Sequence, residues 1–165
     1  MTVTPSGIMS QDIAALRDML SECAAFRTWV NAATPALALP SIHVISTTRN
    51  PPLPLALIDI GDWSRARSVV FSGQQFDFAP GASLVLYLRA AATLEEPDAA
   101  YEFMNAAGAI IEDLEKLTGT QAKGWPTISS ITLVAAPARI EPSQRDAVGD
   151  YYECAFTIDR GIRPR

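Results

Sequence analysis

Read by periodicity alone, the chain runs helix, four β segments, helix, two β segments, and this order constrains the fold more than any motif in it. A helix with one apolar stripe needs a layer to bury it against, and two helices set apart by β segments cannot serve each other alone. Both are expected on one face of a mainly antiparallel sheet, which gives a two-layer α+β sandwich. The other sheet face then lacks a cover within the chain.

The first stripe lies in Ser10 to Asn31, where Ile13, Leu16, Leu20, Cys23 and Val30 recur at steps of three and four, with Met19 and Phe26 beside them. Ser10 is the expected N-cap, and a loop with Pro35 and Pro40 follows. Ile42 to Thr48 reads as a short strand and Arg49 to Pro54 as an extended linker, since Pro51, Pro52 and Pro54 have no N–H to give a ladder. Leu55 to Ile60 and Ser68 to Ser72 flank a polar tip and predict a hairpin; a break over Phe76 to Gly81 follows. In Ala82 to Ala91, Leu84, Leu86 and Leu88 alternate with Val85, Tyr87 and Arg89, so the leucines should meet the helices while Tyr87 and Arg89 point the other way.

Pro97 opens the second helix, of about six turns. Ala100, Met104, Ala107, Ile111 and Leu114 form its stripe, joined by Phe103, Ile110 and Leu117, while Glu102, Glu112, Asp113 and Glu115 make an acidic, solvated side. Ile128 to Ile140 and Tyr151 to Asp159 predict a closing hairpin with a long polar loop, the far end of its first strand loosened by Pro137. The 165 residues fit one domain, with 1–9 and 160–165 as flexible tails.

A composition of 48% hydrophobic and 19% charged residues is that of a globular protein. No apolar run nears the ~20 residues of a spanning helix, and the N-terminus lacks the marks of a signal peptide, so no membrane role and cytoplasmic synthesis are expected. Cys23 and Cys154 are then expected as buried, reduced thiols. A net charge of −5 argues against broad phosphate contact, and nucleic acid is not an expected partner.

The chain offers few residues in a catalytic pattern. His43, the single histidine, lies within a predicted strand without a serine or cysteine nucleophile in a recognisable frame. Gly81-Ala82-Ser83-Leu84-Val85 starts like a nucleophile elbow but ends in valine and enters a strand. Gly119 to Gly124 has the glycine spacing of a phosphate loop, with Trp125 where the lysine must stand. One histidine and two distant cysteines do not make a zinc site. Asp59 with Asp62, or Asp146 with Asp150, are the remaining carboxylate pairs, in a chain acidic enough for such neighbours to arise by chance. No catalytic residue, cofactor or metal ligand is assigned.

Aromatic and arginine side chains in predicted loops stand out instead: Trp63, Arg65 and Arg67 in one tip, Phe76 and Phe78 in a second, Trp125 in a third, Arg145 in the long polar loop and Arg160 in the basic tail. Such residues dominate protein interfaces. The aromatic ones are equally suited to folding back onto the core edge.

The layout resembles the tail terminator and head-tail joining proteins of long-tailed bacteriophages and of phage-like particles such as gene transfer agents. The resemblance rests on the first helix ending near Phe26-Arg27-Thr28-Trp29, on Pro54-Leu55-Ala56-Leu57-Ile58, and on the glycine-led strand Gly81 to Arg89. It extends to the helix with Asn105, Ile110, Ile111 and Leu114, then Ile128 to Leu133 and Asp150 to Ile158. It implies a structural virion protein, not an enzyme, that forms a homohexameric ring on the tail tube, ends tube growth and meets the head connector or neck protein. The virion tail end or neck is the implied location, after synthesis in the host cytoplasm. A ring needs a heterologous interface, one patch of each copy binding a different patch of the next. A small-molecule or regulatory module holding a ligand beside Tyr87 and Tyr151 is the alternative, and a hydrolase or transferase with an unfamiliar site a third.

Overall fold

A computed structural model describes residues 4, 8–44, 52–63, 68–71, 74–77, 82–92, 97–118, 123, 125, 128–141 and 149–160. The elements are α1 (Ile8–Glu22), α2 (Ala24–Trp29), α3 (Pro35–Ala38), a 3₁₀ turn (Leu39–Ser41), β1 (Ile42–Val44) and β2 (Leu55–Trp63). There follow β3 (Ser68–Phe71), β4 (Gln74–Asp77), β5 (Ala82–Ala91), α4 (Pro97–Leu117), β6 (Ile128–Ile140) and β7 (Tyr151–Arg160). The expected α+β class stands.

Five strands form the main sheet in the order β1-β2-β5-β7-β6, with β1 parallel to β2 and every other pair antiparallel. Since β5 and β6 both run opposite to β7, they run parallel to each other. The helix α4 is the crossover that such a pair requires. One face of this sheet carries Ala56 and Ile58 of β2, Leu84, Leu86 and Leu88 of β5, and Cys154 and Ile158 of β7, all buried against Leu16, Leu20 and Phe26 of α1 and α2 and Phe103, Ile110 and Leu114 of α4. The leucine alternation of β5 therefore points where it was expected to. Aromatic rings tie the layers: Trp29 lies 6.4 Å from Phe103, which stacks on Tyr152 at 5.8 Å.

Three expectations need correction. The first helical stripe is divided: Cys23 leaves the helix at φ −60° and ψ 122°, and α2 starts anew behind it. The reason lies far along the chain, where the Asp113 carboxylate accepts the Ala25 N–H at 2.9 Å and supplies the cap that local sequence lacks. Asp113 is thus a capping group rather than part of a solvated face. Its carboxyl is held below the usual range, first by that backbone N–H and also by Lys116. Second, α1 already runs at Ile8, so Ser10 is inside the helix and not its cap, and the expected tail ends sooner; likewise β7 extends to Arg160. The remaining residues of both expected tails, Thr4 apart, lie outside the described residues.

The third correction concerns pairing. Instead of meeting β3 in a hairpin, β2 pairs with β5, from Leu55 opposite Arg89 to Trp63 opposite Ala82. The strand β3 pairs with β4, Val69 opposite Phe76, as a separate two-stranded ribbon inserted between them. The stretch expected to be a break is in part a strand. Short β-rich segments satisfy a hairpin pattern with either neighbour, and periodicity carries no information on which one wins.

Candidate functional site

Tyr87 and Arg89 leave β5 on the face away from the helices, and the register sets Glu153 of β7 directly opposite Arg89. The Arg89 Nε donates to Glu153 Oε2 at 2.5 Å, and its guanidinium stands 5.9 Å from the Tyr87 ring centre and 5.2 Å from that of Tyr151. Charge is neutralised and the planar group is flanked by two rings, so the cluster is satisfied from within. On this same face Leu55 and Ala155 are buried although neither belongs to the helix-side core. They sit opposite Arg89 and Tyr87 in the register. The result is a half-buried surface of mixed polarity.

The two end strands differ from the middle of the sheet. In β6 every residue from Thr132 to Arg139 is exposed, including the apolar run Leu133-Val134-Ala135-Ala136. Leu133 is 51% and Val134 61% exposed. Tyr101 and Met104 of α4 stand exposed as well. The register of β6 with β7 breaks after Ile128, after Leu133 and after Ala135, so the end strand is bulged toward its Pro137 end. Its start is tied down by Ser130 Oγ donating to the Asp159 carboxylate at 2.6 Å and by the Ile128 N–H donating to the Thr118 hydroxyl at 2.6 Å. At the other end of the sheet, Val44 of β1 and Leu37 of α3 are exposed.

The structure separates the residues singled out from the sequence. Trp125 is in the core, 5% exposed, its indole N–H donating to the Asp18 carboxylate at 2.7 Å while Lys123 lies 4.8 Å from the ring centre and pairs with Glu22. It folds back onto the core rather than offering a loop surface, because an indole buries a large area once its N–H has a partner. Trp63 ends β2 and Phe76 lies within β4, so both occupy strands rather than a loop tip and a break. Arg160 closes β7 opposite Ile128, not in a tail. Since Trp63 pairs with Ala82 and Ser83 with Asp159, the Trp63 and Arg160 positions share one end of the sheet. Arg65, Arg67, Phe78 and Arg145 lie outside the described residues.

His43 stands in β1 opposite Leu57, half-buried, its Nε2 without a hydrogen-bond partner among the described residues. Of the carboxylate pairs, Asp62 with Asp59 is set in β2, where the Asp62 side chain is not described, and Asp146 lies outside the described residues. Asp150 is engaged by Arg139, whose Nε donates to it at 3.1 Å. Among the described residues no group of three or more His, Cys, Asp or Glu side chains gathers as a metal site. Cys23 and Cys154 are free and buried, and burial above all pushes both thiols up to about 12, which removes them from nucleophilic chemistry near neutral pH. No helix among the described residues is long and apolar enough to cross a membrane.

Sequence reasoning missed Leu133, Val134, Tyr101, Met104 and Leu37 as surface groups. The only signal was negative: the second helix has more apolar positions than one sheet-facing stripe uses. No protein-family model matches this chain, and no curated protein matches its sequence.

Proposed function

We propose that this chain is a structural subunit that assembles with copies of itself into a ring, and that the ring closes the end of a phage-type tail tube and joins it to the head connector. The observation that carries the reading is the end strand β6, whose apolar run from Leu133 to Ala136 is exposed and has no strand on its outer side among the described residues. Soluble proteins usually blunt such an edge with charge or cover it. An edge left apolar over several residues marks a surface meant for a partner. The saturated Arg89, Glu153, Tyr87 and Tyr151 cluster supports the same reading, because a charge neutralised and flanked by rings suits a broad contact better than capture of a small ligand. The layout that resembles the tail terminator family supplies the specific station and the hexamer.

The test is the mass of the purified chain by light scattering over a wide concentration range, with negative-stain images of the same sample. Closed rings of about six copies with a central hole are expected, and they should cap purified tail tubes and prevent further growth. A chain that stays monomeric both alone and with tubes contradicts the proposal.

A further inference from the structure

Exposed large apolar side chains among the described residues form two groups, at opposite ends of the sheet. Leu37 and Val44 belong to the β1 end; Tyr101, Met104, Leu133 and Val134 belong to the β6 end. The placement of α4 explains the second group. Phe103, Ala107, Ile110 and Leu114 turn to the core, and Asp113 turns to α2 through Ala25. At 100° per residue, Tyr101, Met104 and Gly108 then leave the opposite flank. The helix α1 touches β1 and β5 while α4 touches β7 and β6, so this free flank overlooks the bare end strand. Leu133, opposite Phe156, lies on the helix side of that strand and Val134 in the bulge just after it; the end is open along its outer side among the described residues.

Charge differs between the ends in the sense that complementarity requires. On the α4 flank Glu112 and Glu115 are exposed, and Arg139 nearby is already taken up by Asp150 and Glu141. The β1 end holds Arg17, whose Nη2 reaches the Leu39 carbonyl at 3.5 Å just before the strand. Direction fits as well: β1 runs opposite to β6, so a neighbour in the same orientation sets its β1 antiparallel to β6 and continues the sheet. A two-fold pairing of β6 with itself would instead bring Glu112 and Glu115 toward their own copies and leave Leu37 and Val44 uncovered.

We infer that the two ends are the halves of one head-to-tail interface: a second copy of this chain seats Leu37, Val44 and Arg17 against the Tyr101, Met104, Leu133 and Val134 flank of the first. The inference names the surfaces for the assembly proposed above, and it rests on that reading only for closure into a ring.

Two variants test it, Val44→Lys and Val134→Lys, each at an exposed position and each checked for a native melting curve. Sedimentation of the native chain up to about 1 mM, the weak end of specific affinities, should show assembly. Each variant alone should need about thirtyfold more protein to assemble. An equal mixture should stop at a one-to-one pair, because the intact β1 end of Val134→Lys meets the intact β6 end of Val44→Lys and both remaining ends are blocked. Assembly of either variant at the native concentration, a mixture that stays monomeric, or a native chain that never assembles overturns the inference. If the native chain forms rings and both variants keep them, these surfaces are wrong while the ring reading stands. If the mixture pairs as expected but the native chain grows open filaments, the surfaces stand and the ring reading falls.

Discussion

The strands β5 and β6 belong to one sheet and both carry leucine and valine, yet these side chains have opposite fates. Leu84, Leu86 and Leu88 of β5 are at most 5% exposed, whereas Leu133 and Val134 of β6 stand more than half exposed. Alternation assigns side chains to faces. It does not say whether anything covers the face. The helix α4 touches β7 and β6 alike, yet Leu133 and Val134 lie outside the buried core, so leucine and valine make a core in one strand and an open end in the other.

The sharpest way to break that contrast is chemical. Burial, more than the neighbouring acids, pushes the Cys23 and Cys154 thiols up to about 12. In dilute protein at mildly alkaline pH, a Val134→Cys variant should therefore react with a thiol reagent on the order of a thousandfold faster than either native cysteine. Comparable rates at all three sites would show that the two regions do not differ in cover. Truncation is the next test. Leu86→Ala should cost about 3 kcal/mol of unfolding free energy by leaving a cavity, and Leu133→Ala less than about 0.5 kcal/mol in the monomer. Urea titration of the two at low concentration reads the difference, and equal losses would mean that β6 is already covered within the chain.

A smaller effect sharpens the account of how the cover is held. Asp113→Ala removes the cap on the Ala25 N–H and should cost about 1 kcal/mol at neutral pH. Because the folded carboxyl lies below its unfolded value of about 3.9, its contribution is complete above that value and fades as pH falls through the folded one. Urea titrations of native chain and variant should thus converge in acid. A gap that stays constant down to about pH 2, below the usual carboxylate range, would remove Asp113 from this role.

Much of the fold is legible from residue order. The span of β5, the Pro97 start of α4 and the β6-β7 hairpin all follow from period and punctuation. What is not legible has a common physical cause, namely dependence on groups distant in sequence. The stop at Cys23 is made tolerable by Asp113, 90 positions on; the pairing of β2 with β5 skips an inserted ribbon; and the Trp125 indole finds Asp18 on the first helix. For the candidate site, one of the aromatic residues that stood out in the sequence lies elsewhere than on a loop surface. Trp125 is core, while nothing in the sequence marks Leu133 and Val134 as exposed, since cover depends on packing from elements distant in the chain.

Amide hydrogen exchange over Thr132 to Ala136, recorded at low and at high protein concentration, tests most directly whether the open β6 end is a contact between copies. The account predicts fast exchange when dilute and marked slowing once copies assemble, with β5 amides slow in both samples. Exchange in β6 that is the same at both concentrations, while the sample's mass shows assembly, would contradict it.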